Sequence, residues 1–335
     1  MKKNIYSLWY LLGILGCALL LSSCASLLRE SEAPPIIEHD VFDVSVPLPG
    51  VPENVEVNPA TGKIYVVYRA YPALTVFEAQ TLQILASVPL PQCSHRIGID
   101  HVNNRIYVTN KQKGSISIID GETYTLLNTL KVGRWPNGID VNSHTNTIYV
   151  TDEKRAMVSV IDGKSMTVVG TLSVGRSPRG IAVNSSRNLV YVANTKDDTV
   201  SIIDGNTQEV VNTLPVGSQP NYVAVDSGLD KAFVSNTQSN NVYVIDGGDF
   251  HLVVGVIPVQ VNPWGLTVDE AHNLLFVTNT SDHSLSVVQA QSHQVLVTSP
   301  TQAFPIDVAV DGERKFLYAI HRDRRELFAA KILYE

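Results

Sequence analysis

Short runs of alternating apolar and polar residues, separated by Gly, Pro, Asn and Asp, fill most of the chain after residue 40. The clearest example is residues 167–208, where four runs follow one another: Thr167–Val174, Gly180–Asn184, Leu189–Asn194 and Thr199–Asp204. β-Branched and aromatic side chains favour strands, whereas Gly, Pro, Asn and Asp favour turns. This stretch therefore predicts four antiparallel strands joined by tight turns.

The same pattern recurs along the chain at a nearly constant interval. One central aromatic residue marks each copy, and neighbouring aromatics are 42 or 43 residues apart: Tyr65, Tyr107, Tyr149, Tyr191, Phe233, Phe276 and Tyr318. A four-stranded unit of about 40–45 residues is typical of a propeller blade, because such a small sheet buries both faces only between neighbours. We therefore predict an all-β, seven-bladed β-propeller over residues 41–335, with four antiparallel strands in each blade.

A tetrapeptide recurs in the central strand. Residues 107–110 read Tyr-Val-Thr-Asn, and residues 149–152, 191–194 and 276–279 are close variants. In these residues the chain resembles the YVTN-repeat propellers, and the resemblance covers all seven repeats. That family includes binding proteins and relatives of lactonases and of cofactor-carrying propellers, so the resemblance implies a fold more strongly than a function.

The resemblance also implies how the ring closes. In YVTN-repeat propellers the Pro-x-Gly-Ile-Ala-Val strand is innermost, and the strand that opens the repeat is outermost. Residues 306–332 would then form the three inner strands of the last blade, and residues 41–48 would form its outer strand. This arrangement joins the two ends of the propeller and removes a free sheet edge.

The N-terminal segment has the features of an export signal. Two lysines precede an apolar run over residues 5–20, which is short for a membrane-spanning helix. Residues 21–24 read Leu-Ser-Ser-Cys and resemble the bacterial lipobox. We therefore predict a lipoprotein signal peptide over residues 1–23 and lipidation of Cys24, with acyl chains such as palmitate holding the protein on a membrane.

Residues 24–40 are predicted to form a flexible tether between the lipidated cysteine and the propeller, because they show no repeat and contain two consecutive prolines. Ala25, rather than aspartate, follows the cysteine. In Gram-negative hosts this favours the outer membrane. We expect an exported, monomeric propeller attached to the cell envelope and facing the periplasm.

Composition and charge narrow the remaining choices. The chain is 44% hydrophobic and 17% charged, as in a globular protein, and its net charge of −7 argues against nucleic-acid binding over the whole surface. A local basic patch remains compatible with that charge. Of the three cysteines, Cys93 is the one within the repeats, so no intramolecular disulfide is available to the propeller.

Propellers usually bind ligands on the face where the loops surround the central channel. One position there, directly after the turn proline or its equivalent, differs in every copy: Glu53, His95, Asn137, Arg179, Asn221, Trp264 and Ile306. A position released from the packing of the repeat is where recognition can vary. The predicted ligand-binding residues are Glu53, His95, Arg96, Arg134, Asn137, Arg179, Asn221, Tyr222 and Trp264.

These residue types suit an anionic ligand. Guanidinium groups pair with phosphate or carboxylate, and aromatic rings stack on bases or sugars. We expect the anion to lie across Arg96, Arg134 and Arg179; single-stranded DNA, which some periplasmic YVTN relatives bind, a glycan and an envelope protein are the candidate partners. The alternative is a loop surface whose charges are merely solvated.

The sequence favours a binding module over an enzyme. Phosphate-loop, dinucleotide-binding, zinc-protease and serine-hydrolase motifs are all missing from it, and we expect no catalytic residue, metal or cofactor. Two alternatives stay open. A lactonase-like hydrolase or lyase would use Glu53, His95 and Arg179, and an electron-transfer propeller with haem or quinone would use His95 or His321. Cys93 is interpreted as filling its turn rather than as a nucleophile.

Overall fold

The computed structural model describes residues 36–38, 44–91, 93–301 and 303–334. The predicted signal peptide, Cys24 and most of the predicted tether lie outside the described residues. Residues 37–333 form one compact unit. The one helix in the described part of the chain is a short 3-10 turn, Lys111–Lys113. Within those same ranges, no helix combines the length and apolar character needed to cross a bilayer.

Seven antiparallel sheets make up the fold, and each is a blade whose first strand is innermost. The first blade contains β3 (Pro52–Asn58), β4 (Lys63–Tyr68), β5 (Ala73–Glu78) and β6 (Ile84–Pro89). The second contains β7 (Ser94–Asp100), β8 (Arg105–Asn110), β9 (Ser115–Asp120) and β10 (Leu126–Lys131). The third contains β11 (Pro136–Asn142), β12 (Thr147–Asp152), β13 (Met157–Asp162) and β14 (Thr167–Ser173).

The remaining blades repeat this order. The fourth contains β15 (Pro178–Asn184), β16 (Leu189–Asn194), β17 (Thr199–Asp204) and β18 (Glu209–Pro215). The fifth contains β19 (Pro220–Asp226), β20 (Lys231–Asn236), β21 (Asn241–Asp246) and β22 (Val253–Pro258). The sixth contains β23 (Pro263–Asp269), β24 (Leu274–Asn279), β25 (Ser284–Gln289) and β26 (Gln294–Pro300).

The seventh blade draws strands from both ends of the propeller. Its inner strands are β27 (Pro305–Asp311), β28 (Phe316–His321) and β29 (Glu326–Leu333), and β2 (Val44–Pro47) pairs antiparallel with β29. The predicted closure by the N-terminal strand is therefore confirmed. A further short strand, β1 (Ile36–Glu38), also belongs to this sheet and falls inside the segment predicted to be a tether.

The inner strands of neighbouring blades touch one another around a central channel, and β27 contacts β3 to complete the ring. Burial is highest in the second and third strands of a blade and lowest in the outermost strand. The central strand β8 is buried along nearly its whole length, whereas the outer strand β10 is almost entirely exposed. The apolar residues therefore form a layer between blades rather than one central core.

The seven repeated aromatic residues lie in that layer. Each of them is fully buried, and Tyr107, for example, packs against Ile139 and Ile148 of the next blade. Burying one such ring contributes about 1.5–3 kcal/mol. The repeated aromatics therefore pack between neighbouring blades.

The Asn of the Tyr-Val-Thr-Asn tetrapeptide has a structural function. The side-chain amide of Asn110 donates a hydrogen bond to Ser117 Oγ at 3.0 Å, and Asn279 makes the same bond to Ser286 at 2.9 Å. Each bond joins the second strand of a blade to the third, close to the loops. His321 replaces this Asn in the seventh blade and lies beside the ring of Phe328.

Candidate ligand-binding site

Two sets of loops meet on one face of the propeller, and the same backbone hydrogen bond joins them in all seven blades. The N–H group that follows the central strand donates to the carbonyl that precedes the innermost strand, as in Lys111 to Cys93 and Arg322 to Phe304, both at 3.1 Å. This bond fixes two rings of side chains around the channel. We call the residues after the turn proline the inner ring and the residues after the central strand the outer ring.

A cavity of about 310 Å³ opens at this face, and we call it the mouth. It is lined by Glu53, Arg69, Cys93, Ser94, His95, Arg96, Lys111, Gln112, Trp135, Asn137, Arg179, Asn221, Trp264 and Arg322. Six of the seven inner-ring residues are in this lining. The structure thus brings together seven of the nine residues predicted to bind a ligand.

The other two predicted residues lie elsewhere. Tyr222 sits below the mouth, where its ring and Arg96 meet inside the channel. Arg134 does not line the mouth. Its backbone N–H donates a 2.6 Å hydrogen bond to the carboxylate of Asp152, and this bond is part of the turn that precedes the third blade. An anion across Arg96, Arg134 and Arg179 would therefore not lie within a single cavity.

The outer ring supplies charged residues that the sequence analysis did not select. Threonine occupies this position in three blades, and its hydroxyl bonds the proline carbonyl of the next blade in two of them, from Thr195 and Thr280. The other four blades carry charged residues instead: Arg69, Lys111, Glu153 and Arg322. The sequence did contain a signal for these residues, because one repeat position is threonine in three copies and charged in the other four.

On one side of the mouth, Glu153 pairs with two cationic side chains, Lys111 and Arg179. Its carboxylate lies 2.8 Å from Lys111 Nζ and 3.3 Å from Arg179 Nη2, and it accepts a 2.9 Å hydrogen bond from Asn137. Burial alone would raise the pKa of Glu153, but Lys111 and Arg179 lower that pKa to about 2. We call Glu153, Lys111, Arg179 and Asn137 the paired side of the mouth.

Trp135 borders the paired side, and its ring is already covered. Lys154 Nζ lies 3.6 Å from the ring centroid, and Lys111 Nζ lies 5.9 Å from it. Such cation–π contacts hold both the ring and the ammonium groups in place. Trp135 therefore offers a ligand less free surface than its position suggests.

Glu53 and His95 form a second paired unit, joined by a hydrogen bond. His95 Nδ1 lies 3.1 Å from Glu53 Oε1. Burial lowers the pKa of His95 to about 4, although Glu53 acts in the opposite direction. Burial would raise the pKa of Glu53, but His95, Arg322 and Arg96 lower that pKa to about 2. At neutral pH a neutral His95 donates from Nδ1 to an ionised Glu53.

Arg322 and Arg69 occupy the opposite side of the mouth, which we call the open side. Arg322 Nη2 is 3.5 Å from Glu53 Oε2, and its buried Nε has no hydrogen-bond partner among the described residues. The guanidinium of Arg69 forms neither an ion pair nor a hydrogen bond with any described residue. The two blades that carry them are neighbours in the ring.

A septum of four side chains closes the mouth towards the channel. Glycine follows the inner ring in three blades, and a Cβ at Gly138 would come within 2.1 Å of the carbonyl oxygen of Arg179. The other four blades place larger residues at this position, and these contact one another: Asn54, Arg96, Tyr222 and Asp307. Arg96 lines both the mouth and the channel beneath it.

Asp307 anchors the septum from below. It is fully buried, and one carboxylate oxygen accepts hydrogen bonds from the Asn54 amide and from the backbone of Val55 at 3.1 Å. The same oxygen is 3.7 Å from Arg96 Nη1. The positive charge of Arg96 is therefore directed towards the septum rather than into the mouth.

Two further carboxyl groups line the channel below the septum. Burial raises the pKa of Asp140 to about 6, although the backbone N–H groups of Val141 and Val183 act against this rise. Burial, together with the nearby charges of Asp307 and Asp140, raises the pKa of Glu56 well above its usual value. Carboxyl groups in the channel therefore retain their protons to higher pH than Glu53 and Glu153 at the mouth do.

The remaining candidates for chemistry do not come together. His321, the other possible cofactor ligand, is buried in a separate cavity between the sixth and seventh blades, where its Nε2 has no partner among the described residues. Cys93 is a free thiol at a positive-φ position that Ser177 also occupies in its own blade. Within the described ranges, no three His, Cys, Asp or Glu residues are placed to hold a metal ion.

Comparisons with known proteins support the fold alone. No family model matches the chain, and no curated protein matches it either. Among solved structures, hydrazine synthase from Kuenenia stuttgartiensis is similar, with 17% sequence identity and a TM-score of 0.75 over 89% of this chain and 100% of that chain. At this identity the match shows a shared propeller fold. Membership of the YVTN-repeat family therefore stays a prediction.

Proposed function

We propose that this protein is a lipid-anchored propeller of the bacterial cell envelope that binds an anionic ligand at its mouth without transforming it. The supporting observation is the charge of the lining, which contains five cationic side chains and one carboxylate, that of Glu53. Glu153 and Asp307 pair with three of these cations, and Arg69 and Arg322 supply the remaining positive charge. A pocket of this volume falls at the lower end of the range for small-molecule sites, about 300–1,000 Å³. A polymer such as single-stranded DNA or a glycan would therefore insert one of its units into the mouth.

The lowered pKa of His95 and its hydrogen-bond partners favour binding over catalysis. A general base works best when its pKa lies near the working pH, whereas the pKa of His95 is lowered to about 4. In the described part of the chain, no hydroxyl or thiol donates a hydrogen bond to this histidine. The trio of Glu53, His95 and Arg179 lacks an activated nucleophile, and Arg179 is held by Glu153 instead.

Titration calorimetry of the full-length protein in detergent tests the binding proposal. The probes are a short oligothymidylate, a sulfated oligosaccharide and its unsulfated counterpart, each measured at several salt concentrations. The anionic probes are expected to bind, with the logarithm of affinity falling linearly with the logarithm of salt concentration. Failure of both anionic probes, or equal binding of the neutral sugar, would refute the proposal.

A pair of opposite charge changes locates that binding at the mouth. Gln112 lines the mouth and is exposed, so Gln112→Lys is expected to raise anion affinity and Gln112→Glu to lower it, each by about twofold. Gln208 is exposed in a turn between the third and fourth strands of its blade, on the face opposite the mouth, and its Lys and Glu variants serve as controls. Equal responses at Gln112 and Gln208 would place the anion outside the mouth.

The membrane anchor is tested separately. Lipidation of Cys24 is a sequence prediction based on residues 21–24. Labelled palmitate should enter the protein in bacterial cells, and Cys24→Ser should abolish the label and release the protein from the membrane fraction. Continued labelling of the Cys24→Ser variant would show that another residue carries the lipid.

A further inference from the structure

A second cavity lies beside the mouth, at the corner between the sixth and seventh blades. Its volume is about 470 Å³, and its lining consists of Asn262, Trp264, Thr280, Phe304, Ile306, Arg322 and Asp323. Trp264 and Arg322 line both this cavity and the mouth. The two cavities are therefore neighbours that share one aromatic and one cationic side chain, and we call the second one the corner pocket.

The corner pocket has an apolar wall with free surface. Trp264 has no cation or second ring stacked on it among the described residues, unlike Trp135, whose face is covered by Lys154. Phe304 is 40% exposed and packs on one side against the ring of His283, with the two ring centroids 4.2 Å apart. Exposed aromatic rings in a concave pocket are a common means of holding flat or apolar groups.

The backbone holds this wall in position. The N–H of Arg322 donates to the carbonyl of Phe304, and the N–H of Phe304 donates to Asp323 Oδ1, both at 3.1 Å. Asp323 is the one carboxylate at the edge of the pocket, and it is committed to that turn. The backbone positions of Phe304 and Arg322 are therefore fixed relative to each other before a ligand arrives, which reduces the entropy lost on binding.

The charged end of the site is the open side of the mouth. The side chain of Arg322 is 38% exposed, and among the described residues its guanidinium makes one contact, at 3.5 Å with Glu53. The guanidinium of Arg69 is exposed and has no partner among those residues. Lys111 and Arg179, in contrast, are held by Glu153, and Arg96 is held by the septum. An incoming anion would therefore gain new hydrogen bonds at Arg322 and Arg69 without displacing an existing strong ion pair.

We propose that the ligand is a small amphipathic acid, in which a phosphate or carboxylate binds between Arg69 and Arg322 while an adjoining flat apolar group fills the corner pocket against Trp264 and Phe304. This inference rests on the proposed function of the mouth and specifies its ligand. The same chemistry occurs in aryl or acyl acids and in a nucleotide with a flat base. Trp264, Phe304 and Ile306 supply the flat apolar surface, and the polar groups of Thr280 and Asp323 are already hydrogen-bonded, which favours the former.

Four probes separate the two halves of this site: 1-naphthyl phosphate, inorganic phosphate, 1-naphthol and deoxythymidine monophosphate. The full-length protein should bind naphthyl phosphate at least about tenfold more tightly than phosphate or naphthol alone, because one ligand then uses both subsites. It should also prefer naphthyl phosphate to the nucleotide. The reverse preference would identify a nucleotide as the occupant and would overturn the assignment to aryl or acyl acids.

Matched variants assign each half to its residues. Arg322→Gln should weaken naphthyl phosphate and phosphate by about tenfold or more and leave naphthol unchanged, since hydrogen bonds to a charged group are lost. Phe304→Ala should weaken naphthyl phosphate and naphthol but not phosphate. The controls are Arg134→Gln, outside the mouth, and Phe250→Ala, an exposed ring elsewhere on the propeller, and both should bind all four probes normally.

Two outcomes overturn the inference and differ from each other. If phosphate binds but responds to Gln112 charge changes and not to Arg322→Gln, the mouth binds anions at another position and only the assignment to the open side fails. If no anionic probe binds, the proposed function fails as well. Phe304→Leu, which keeps apolar volume without a flat ring, guards against a folding defect and should retain naphthol binding in part.

Discussion

The two sides of the mouth contain similar residues in different electrostatic states. On the paired side, Lys111 and Arg179 both bind Glu153, which also accepts a hydrogen bond from Asn137. On the open side, Arg322 forms a long ion pair of 3.5 Å with Glu53, and Arg69 has no partner among the described residues. A count of cations near a cavity therefore overstates the number available to a ligand. The unpaired Arg69 and the weakly paired Arg322 come from the first and last blades, where the ring closes.

The largest effect is expected where the two sides meet, at the septum. Asp307→Ala removes the carboxylate that binds Asn54, the backbone of Val55 and the charge of Arg96. Losing one partner of a buried ionic group costs about 3 kcal/mol or more of the free energy of unfolding. Urea titration measures this loss, and Asp323→Ala at the edge of the corner pocket is the matched control. Equal stability of the two variants would show that the buried contacts of Asp307 stabilise the fold no more than the exposed carboxylate of Asp323 does.

Glu153→Gln should turn the paired side into a second open side. The substitution releases Lys111 and Arg179, so affinity for inorganic phosphate is expected to rise by about tenfold. The free energy of unfolding should fall by about 2 kcal/mol, because hydrogen bonds to a charged group are lost. In the wild type, Arg179→Gln should change phosphate affinity by less than about threefold. A large loss in that variant would contradict the contrast between the two sides.

The stability gap between wild type and Glu153→Gln should depend on pH. The pKa of Glu153 is lowered to about 2 in the folded protein, from an ordinary value of 4.5. A carboxyl group with a depressed pKa stabilises the fold above the unfolded pKa, and this contribution disappears as the pH falls through the folded value. The gap should thus be complete above pH 4.5 and close towards pH 2. Urea titrations of both proteins at stepped pH give the measurement.

The smallest effect extends the same contrast to the packing between blades. Tyr318 Oη donates a 3.0 Å hydrogen bond to the carbonyl of Ala79, whereas the buried Oη of Tyr149 has no partner among the described residues. Tyr318→Phe should therefore cost about 1 kcal/mol, and Tyr149→Phe should be neutral or slightly stabilising. Phenylalanine already stands at the equivalent position in two blades, Phe233 and Phe276. Thermal unfolding of the two variants side by side distinguishes them.

The architecture could be predicted from the sequence because its units are local. Each blade is an antiparallel meander whose turns and strands lie within about 42 residues, and the spacing from Tyr65 to Tyr318 fixes the number of blades. The same spacing predicted that Glu53, His95 and Arg179 lie on one face, and the three residues line one cavity; their binding of a ligand stays a prediction. Arg134 was misjudged as a cavity residue, because a basic residue in a loop can point away from the axis.

The sequence by itself determined how many blades there are, since that number depends on the repeat period. Its resemblance to YVTN-repeat propellers implied which strand is innermost and therefore which repeat positions face the mouth. Only the tertiary structure decided which charges remain available. Contacts between Glu153 and Arg179, or Arg96 and Asp307, join residues from different blades and act over a few ångströms. Coulombic pairing at such distances depends on side-chain positions rather than on spacing along the chain. The open side of Arg69 and Arg322 exists because the ring brings the first and last blades together.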